Sequence, residues 1–416
     1  MSRRYSWPDG HWGWPIALTH KHGVRAGHFA FTGGQAALDQ DGRVLHPDDL
    51  DQQVDCVAHY LLAILHDLEV EAADLVRLVV YFVGDGDDEA RMLDLLHERL
   101  GSTVCPAINT IPVPALCYPG MRIELEGVAL RSDTENPLTR RNIRLDTLPA
   151  LPAGYAHAVV CGGLVFTSDL SAITPEGDVA HPGDITRQTE PMMQQLGSLL
   201  DAAGAGFDDC LKLNTFYVGD GTAENWAKPA LIRQACFTDP GPAATGITLP
   251  ALAHPGLMTK IAATAVSRRD ANGVEIAAPP RRFSWPDGHW DWTTTLPYKH
   301  GNRLDRTTGG HLIHLGGQVS LDSAARVIDP DDTVAQTRRA LAYIETVLAD
   351  LGASMDDVVK VTTFYRGDAS AEALHDNLNI RSRAFTEPGP ATSGIPVPCL
   401  VYEHMCIEIE VIAVLD

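Results

Sequence analysis

The sequence predicts an α+β fold written three times in tandem along 416 residues. Three ordered landmarks carry that prediction. The run Arg3-Arg4-Tyr5-Ser6-Trp7-Pro8-Asp9-Gly10-His11-Trp12 returns almost unchanged as Arg281-Arg282-Phe283-Ser284-Trp285-Pro286-Asp287-Gly288-His289-Trp290. Tyr81-Phe82-Val83-Gly84-Asp85 recurs as Phe216-Tyr217-Val218-Gly219-Asp220 and again as Phe364-Tyr365-Arg366-Gly367-Asp368. Pro106-Ala107, followed by Ile111-Pro112, recurs as Pro242-Ala243 with Ile247-Thr248 and as Pro390-Ala391 with Ile395-Pro396. Self-similarity in a fixed order means repetition of one unit. The copies are set at residues 1–135, 136–275 and 276–416, with connectors near Ser132 to Pro137 and Arg268 to Pro280.

Each copy reads alike from its N-terminal end. A strand closes on a tight turn at Phe29 to Gln35, Val165 to Leu170 and Leu312 to Gln318. A polar loop follows, then a helix whose apolar positions (Val54, Val57, Leu61, Ile64, Leu65, Leu68) fall three and four apart on one face. Met193, Leu196, Leu199 and Leu200 repeat the stripe in the second copy, and Val334, Leu341, Ile344, Val347 and Leu348 in the third. Strands at Leu78 to Val83, Leu213 to Val218 and Val359 to Tyr365 come next, then a second helix and a last strand. That strand alternates with period two: Ile123 and Leu125 against Glu124 and Glu126, Ile407 and Ile409 against Glu408 and Glu410. Strand, helix, strand, helix, strand, with helices on one side of a sheet, is an α+β layer.

Composition narrows the partners. A formal charge of −22 repels a phosphate backbone, so no nucleic-acid partner is expected. No apolar run is long enough to span a bilayer, and the N-terminus lacks the apolar stretch of a secretory signal. The eight cysteines show no framework spacing, which reads as mostly buried thiols in a reducing cytoplasm.

The turns Gly33-Gly34-Gln35 and Gly316-Gly317-Gln318, the Phe-Tyr strands, the Pro-Ala turns and the closing Ile407-Glu408-Ile409-Glu410 resemble the RidA (YjgF/YER057c/UK114) imine-deaminase family. The resemblance covers nearly the whole chain, and is weaker in the second copy. It implies three RidA-like (chorismate-mutase-like) domains forming a self-contained pseudo-trimeric barrel, with further homo-oligomerisation left open. A site would lie in each cleft between copies. It also implies cofactor-independent hydrolytic deamination of an imine, enamine or related activated C–N bond. The substrate would be a small, planar, carboxylated molecule, and 2-aminomuconate-type deaminases are among the relatives.

Carried over position by position, the family's carboxylate-gripping arginine is missing, since Ile108, Ala244 and Thr392 stand there. Its water-positioning glutamate corresponds to Glu124 and Glu408, while the second copy holds Lys260. Ser168-Asp169-Leu170 also replaces the Gly-Gly-Gln turn there, so the three clefts are not equivalent.

Each candidate has a functional and a structural reading. Glu124 and Glu408 orient water, or are solvated strand-face charges. Lys260 anchors an anion or forms a Schiff base, or is a strand-end lysine in water or beside a carboxylate. Arg233 and Arg381, in matching Ile-Arg contexts, supply substrate-binding charge or cover a helix surface. Gly34, Gln35, Gly317 and Gln318 line a cleft or form turns. His11, Trp12, His289 and Trp290 belong to arms that act as a lid over a planar substrate, or pack on the neighbouring copy and lock the ring. No metal is expected, for lack of a ligand motif. Two rival functions stay open. One is a non-catalytic small-molecule binding or regulatory protein. The other is a ring-opening amide hydrolase in which Lys260 activates a serine.

Overall fold

The computed structural model describes residues 3–132, 137–270, 272–307 and 310–416. Residues 133–136 and 271, within the expected connectors, lie outside the described residues. Three sheets of seven strands repeat one topology. In the first, the order is Arg3–Ser6, Gly23–Ala26, Phe29–Thr32, Ile123–Leu130, Leu75–Phe82, Ala107–Pro112, with Gln35–Ala36 also pairing on Ile123–Leu130. All neighbours run antiparallel except Leu75–Phe82 with Ala107–Pro112. Each sheet is therefore mixed.

The long helix of each copy, α1 (Leu50–Asp67), α3 (Ile185–Ala203) or α5 (Thr333–Asp350), opens on an aspartate whose side chain accepts an N–H of the first turn. Its apolar stripe is buried against the sheet, as in Val54, Val57, Leu61 and Ile64. A buried glutamine pins each helix to two loops. Gln53 donates to the carbonyls of His46 and Gly120 and accepts from Arg122 N–H, and Gln188 and Gln336 do the same in their copies. The shorter helices are α2 (Gly86–Leu100), α4 (Ala223–Gln234) and α6 (Ala371–Arg383). Among the described residues, no helix is long and apolar enough to cross a membrane. All eight cysteines are free thiols; half are buried and half partly exposed, rather than mostly buried.

One sequence expectation needs correction. The Pro-Ala segments are not merely turns: they lead into parallel strands, Ala107–Pro112, Ala243–Leu249 and Ala391–Val397. These can hold Pro112 and Pro396 because each lies on the outer edge of its sheet. The second copy keeps the arm's first strand, Arg140–Ile143, and a histidine, His157, at the position of His22 and His300, but lacks the Trp-Pro-Asp-Gly-His-Trp run between them.

The copies touch in cyclic order. Gly34 N–H of copy 1 donates to Thr392 O of copy 3 at 3.1 Å, and Gly317 N–H of copy 3 to Ala244 O of copy 2 at 3.2 Å. Asp169 N–H of copy 2 donates likewise to Ile108 O of copy 1 at 3.1 Å. The three turns therefore each meet a neighbour's edge strand. Phe364 packs on both Tyr81 and Phe216, one ring from each copy. Ion pairs also cross copies: Lys360–Glu126 at 3.0 Å and Lys212–Glu410 at 2.7 Å.

Candidate functional site

Each turn-to-edge contact roofs a cleft, and two of the three clefts are open. In the cleft between copies 1 and 3, Glu124 projects from Ile123–Leu130, and Gly34 crosses directly over it. A β-carbon at Gly34 would lie 1.7 Å from Glu124 Oε1, so only glycine leaves room for the carboxylate. Gly317 and Glu408 repeat this in the cleft between copies 3 and 2, at 1.8 Å. Both glutamates are about 95% removed from solvent, which overturns the solvated strand-face reading. Burial, with Glu126 adding to it, pushes Glu124 up to about 8 against the pull of Lys360 and Arg381. Burial and Glu410 push Glu408 up to about 8, although Lys212 and a Gly246 backbone N–H pull it down.

An arginine enters this cleft from another element. Arg381, eleven residues past the cap of α6, is fully buried and reaches the position its own strand fills with Thr392. Its Nη1 donates to Thr392 Oγ1 at 3.0 Å and its Nε to Asn377 Oδ1 at 2.9 Å. Nη2 is buried with no hydrogen-bond partner among the described residues. Burial lowers this guanidinium to about 10, which leaves it a cation at neutral pH. Arg233 occupies the same place on α4 and lines the other open cleft, its Nη1 likewise unpartnered among the described residues. The helix-surface reading of both arginines is therefore wrong. Their side chains cross the interface toward a glutamate of the adjacent copy.

Trp12 and Trp14 wall the first cleft, and Trp290 and Trp292 the second. His11, His289, Gln35 and Gln318 were expected to bind substrate, yet they stand behind those walls. Gln35 Oε1 accepts from Trp12 Nε1 at 3.1 Å and bonds His11 Nε2 at 2.9 Å. Gln318 holds Trp290 and His289 in the same way. Burial lowers both histidines below the usual imidazole range, which suits neutral rings in a packed arm. Gln35→Leu is expected to leave the Trp12 and His11 donors unsatisfied and cost about 1–3 kcal/mol. A lowered urea midpoint with red-shifted tryptophan emission checks this.

The third cleft, between copies 2 and 1, is filled by its own charges. Lys260 Nζ donates to Thr110 O and Thr110 Oγ1, both at 2.9 Å, and pairs with Glu89 at 3.4 Å and Asp169 at 3.5 Å. Burial works against the ammonium, but Glu89 and Asp169 outweigh it and hold Lys260 above the ordinary lysine value. A lysine so held is a poor Schiff-base nucleophile and has no donor left for an anion. It does not face a serine either: Ser168 Oγ donates to Ala156 O and accepts from Ile108 N–H. All the catalytic and anchoring readings of Lys260 fail on this geometry. Glu89 and Asp169 were missed by sequence reasoning. Their signals were positional: Glu89 stands four residues past its helix cap, where Trp226 and Leu374 stand in α4 and α6, and Asp169 replaces the glycine.

Three repeated α+β units, with a buried glutamate facing a buried arginine in two of their three clefts, define a tandem protein of the RidA class. The chain matches the Endoribonuclease L-PSP family over residues 16–131, 147–267 and 297–415, and it belongs to that family in three copies. A RutC family protein of Pyrococcus abyssi is 32% identical over 104 residues, 25% of this chain and 79% of the relative. The 2-iminobutanoate/2-iminopropanoate deaminase of Dermatophagoides farinae is 28% identical over 124 residues, 30% of this chain and 94% of the relative. A crystal structure of chorismatase superposes with a TM-score of 0.52 at 12% identity, covering 82% of this chain and 93% of that one, and the likeness is one of fold.

Proposed function

We propose that the chain is a cofactor-independent hydrolase of an imine or enamine C–N bond, acting on a small planar carboxylated substrate. The copies close as a pseudo-trimeric ring, and the two open clefts do the chemistry. One observation supports this above the rest: each open cleft pairs a buried glutamate from one copy with a buried arginine from the next, under a tryptophan wall. The 28% identical deaminase relative supports the reaction class.

The arginine fork holds the substrate carboxylate. The protonated glutamate gives its proton to the imine nitrogen, which makes the carbon electrophilic. The resulting carboxylate takes a proton from water as its oxygen adds to that carbon. Collapse of the carbinolamine breaks the C–N bond, releasing ammonia and leaving a ketone. One imine and one water give one ketone and one ammonia. A carboxyl near 8 serves both directions of proton transfer close to neutral pH.

Ammonia release from freshly generated 2-aminoacrylate and from 2-aminomuconate tests the reading. Release above the non-enzymatic rate with either supports it; background rates with both, while a 2-oxo acid still binds, would leave a binding protein instead. Because the first step needs the protonated carboxyl, kcat/KM is expected to hold below pH 8 and to fall above it, a profile read directly from initial rates.

A further inference from the structure

We infer that the two open clefts divide substrates by shape. The cleft between copies 3 and 2 takes an aromatic or conjugated planar 2-imino acid, and the cleft between copies 1 and 3 takes a short aliphatic one. This rests on the hydrolytic reading above.

The space differs first. The cleft between copies 3 and 2 offers about 690 Å³ of free space, its solvent-open mouth included, and its sister about 390 Å³ on the same measure. Three exchanges at matched positions distinguish the clefts, and the first two account for the extra space. Ala230 replaces Leu378 beneath the arginine, Ala244 replaces Thr392 beside it, and Trp226 replaces Leu374 on the wall. The two alanines deepen the floor. The tryptophan adds a flat face to those of Trp290, Trp292 and Tyr402, and its ring meets Tyr402 edge-on at 6.1 Å. Such rings favour a planar conjugated guest by stacking and edge contacts. Trp226 Nε1 is buried with no hydrogen-bond partner among the described residues, so one donor stands ready for a polar substituent.

The mouths differ as well. Across the smaller cleft, Tyr118 Oη of copy 1 and His375 Nε2 of copy 3 lie 3.0 Å apart, a hydrogen bond that straps the entrance. In the larger cleft Ala227 stands at the histidine's position, and Tyr402 is drawn toward Thr293 instead.

The anchors follow the same division. Arg381 is tied to Thr392 and Asn377, which sets one carboxylate position close to Glu124. Ala244 and Pro229 replace both ties around Arg233, and its guanidinium interacts with the Tyr298 ring hydroxyl instead, so its anchor is set differently from that of Arg381.

The test uses the full chain and two stable 2-oxo acids that stand in for the products, phenylpyruvate and 2-oxobutanoate, titrated by calorimetry. Ala230→Leu is expected to lower the phenylpyruvate-to-2-oxobutanoate affinity ratio about tenfold or more. Leu378→Ala is expected to raise phenylpyruvate stoichiometry from one toward two per chain. Arg233→Met gives a second route to the first result should the leucine misfold the cleft. Equal affinity of both acids for both clefts, with the ratio unmoved by Ala230→Leu and Arg233→Met, overturns the division but leaves hydrolysis standing. Binding of neither acid, with ammonia release at background, overturns hydrolysis and the division together.

Discussion

Replacing Glu124 and Glu408 with glutamine is expected to abolish turnover and at the same time stabilise the fold at alkaline pH. Glutamine can neither give a proton to an imine nitrogen nor take one from water. Each substitution should therefore cost roughly 10²–10⁴ in the rate of its own cleft. The stability effect follows from the raised carboxyl. The folded chain binds this proton up to about 8, whereas a free glutamate loses it near 4.5. Between those values the unfolded chain has released a proton that the folded chain still holds, so stability falls as pH rises. It is highest below 4.5 and reaches its floor above about 8. Every tenfold difference in proton affinity between the folded and unfolded chains amounts to about 1.4 kcal/mol, so each site can cost on the order of 4 kcal/mol at high pH. Urea unfolding at pH 5 and pH 9 checks this: the glutamine variants should match the parent at pH 5 and exceed it at pH 9. Lower stability of both variants at pH 9 would show that these glutamates are ionised at little cost.

The fold was legible because repetition and period are local properties. The alternation of Ile123, Glu124, Leu125 and Glu126 needs no neighbour to be read, nor does the stripe from Val54 to Leu68. The sites were less legible because each is assembled across two copies. Arg381 sits in a polar stretch of α6, and on a lone copy it reads as surface; Trp12 and Glu124 of copy 1 line the cleft it enters. The same holds for Glu89, one acidic residue among several in the first turns of α2 until Lys260 is brought against it. The coupling of Gly34 with Glu124 and of Asp169 with Lys260 was written in the sequence. It becomes meaningful once Gln35 pairs with Leu125 and Leu170 with Ile261, which sets the turn over the strand. The arms misled in the opposite direction: His11 and His289 look chemical, yet their partners Gln35 and Gln318 make them scaffolding for the tryptophans.

The divergent cleft makes the last prediction, since its charges are coupled tightly enough to fail together. Lys260→Met is expected to destabilise the chain by about 3–5 kcal/mol, because Glu89 and Asp169 would keep two buried negative charges without a cation. The cost arises from the carboxylates left behind rather than from the lost methylene chain, which methionine largely replaces. A triple variant, Lys260→Met with Glu89→Gln and Asp169→Asn, should therefore recover most of the loss, a non-additivity that a urea series on the single and triple variants measures directly. Ammonia release, assayed well below the melting range, should stay close to the parent in both variants, because the open clefts draw their glutamates and arginines from other interfaces. A large fall in ammonia release with folding intact would return Lys260 to the chemistry. A triple variant no more stable than the single would mean that the third cleft owes its closure to packing. Two clefts carry a glutamate and an arginine, whereas in the third the lysine neutralises two carboxylates and ties copy 2 to copy 1.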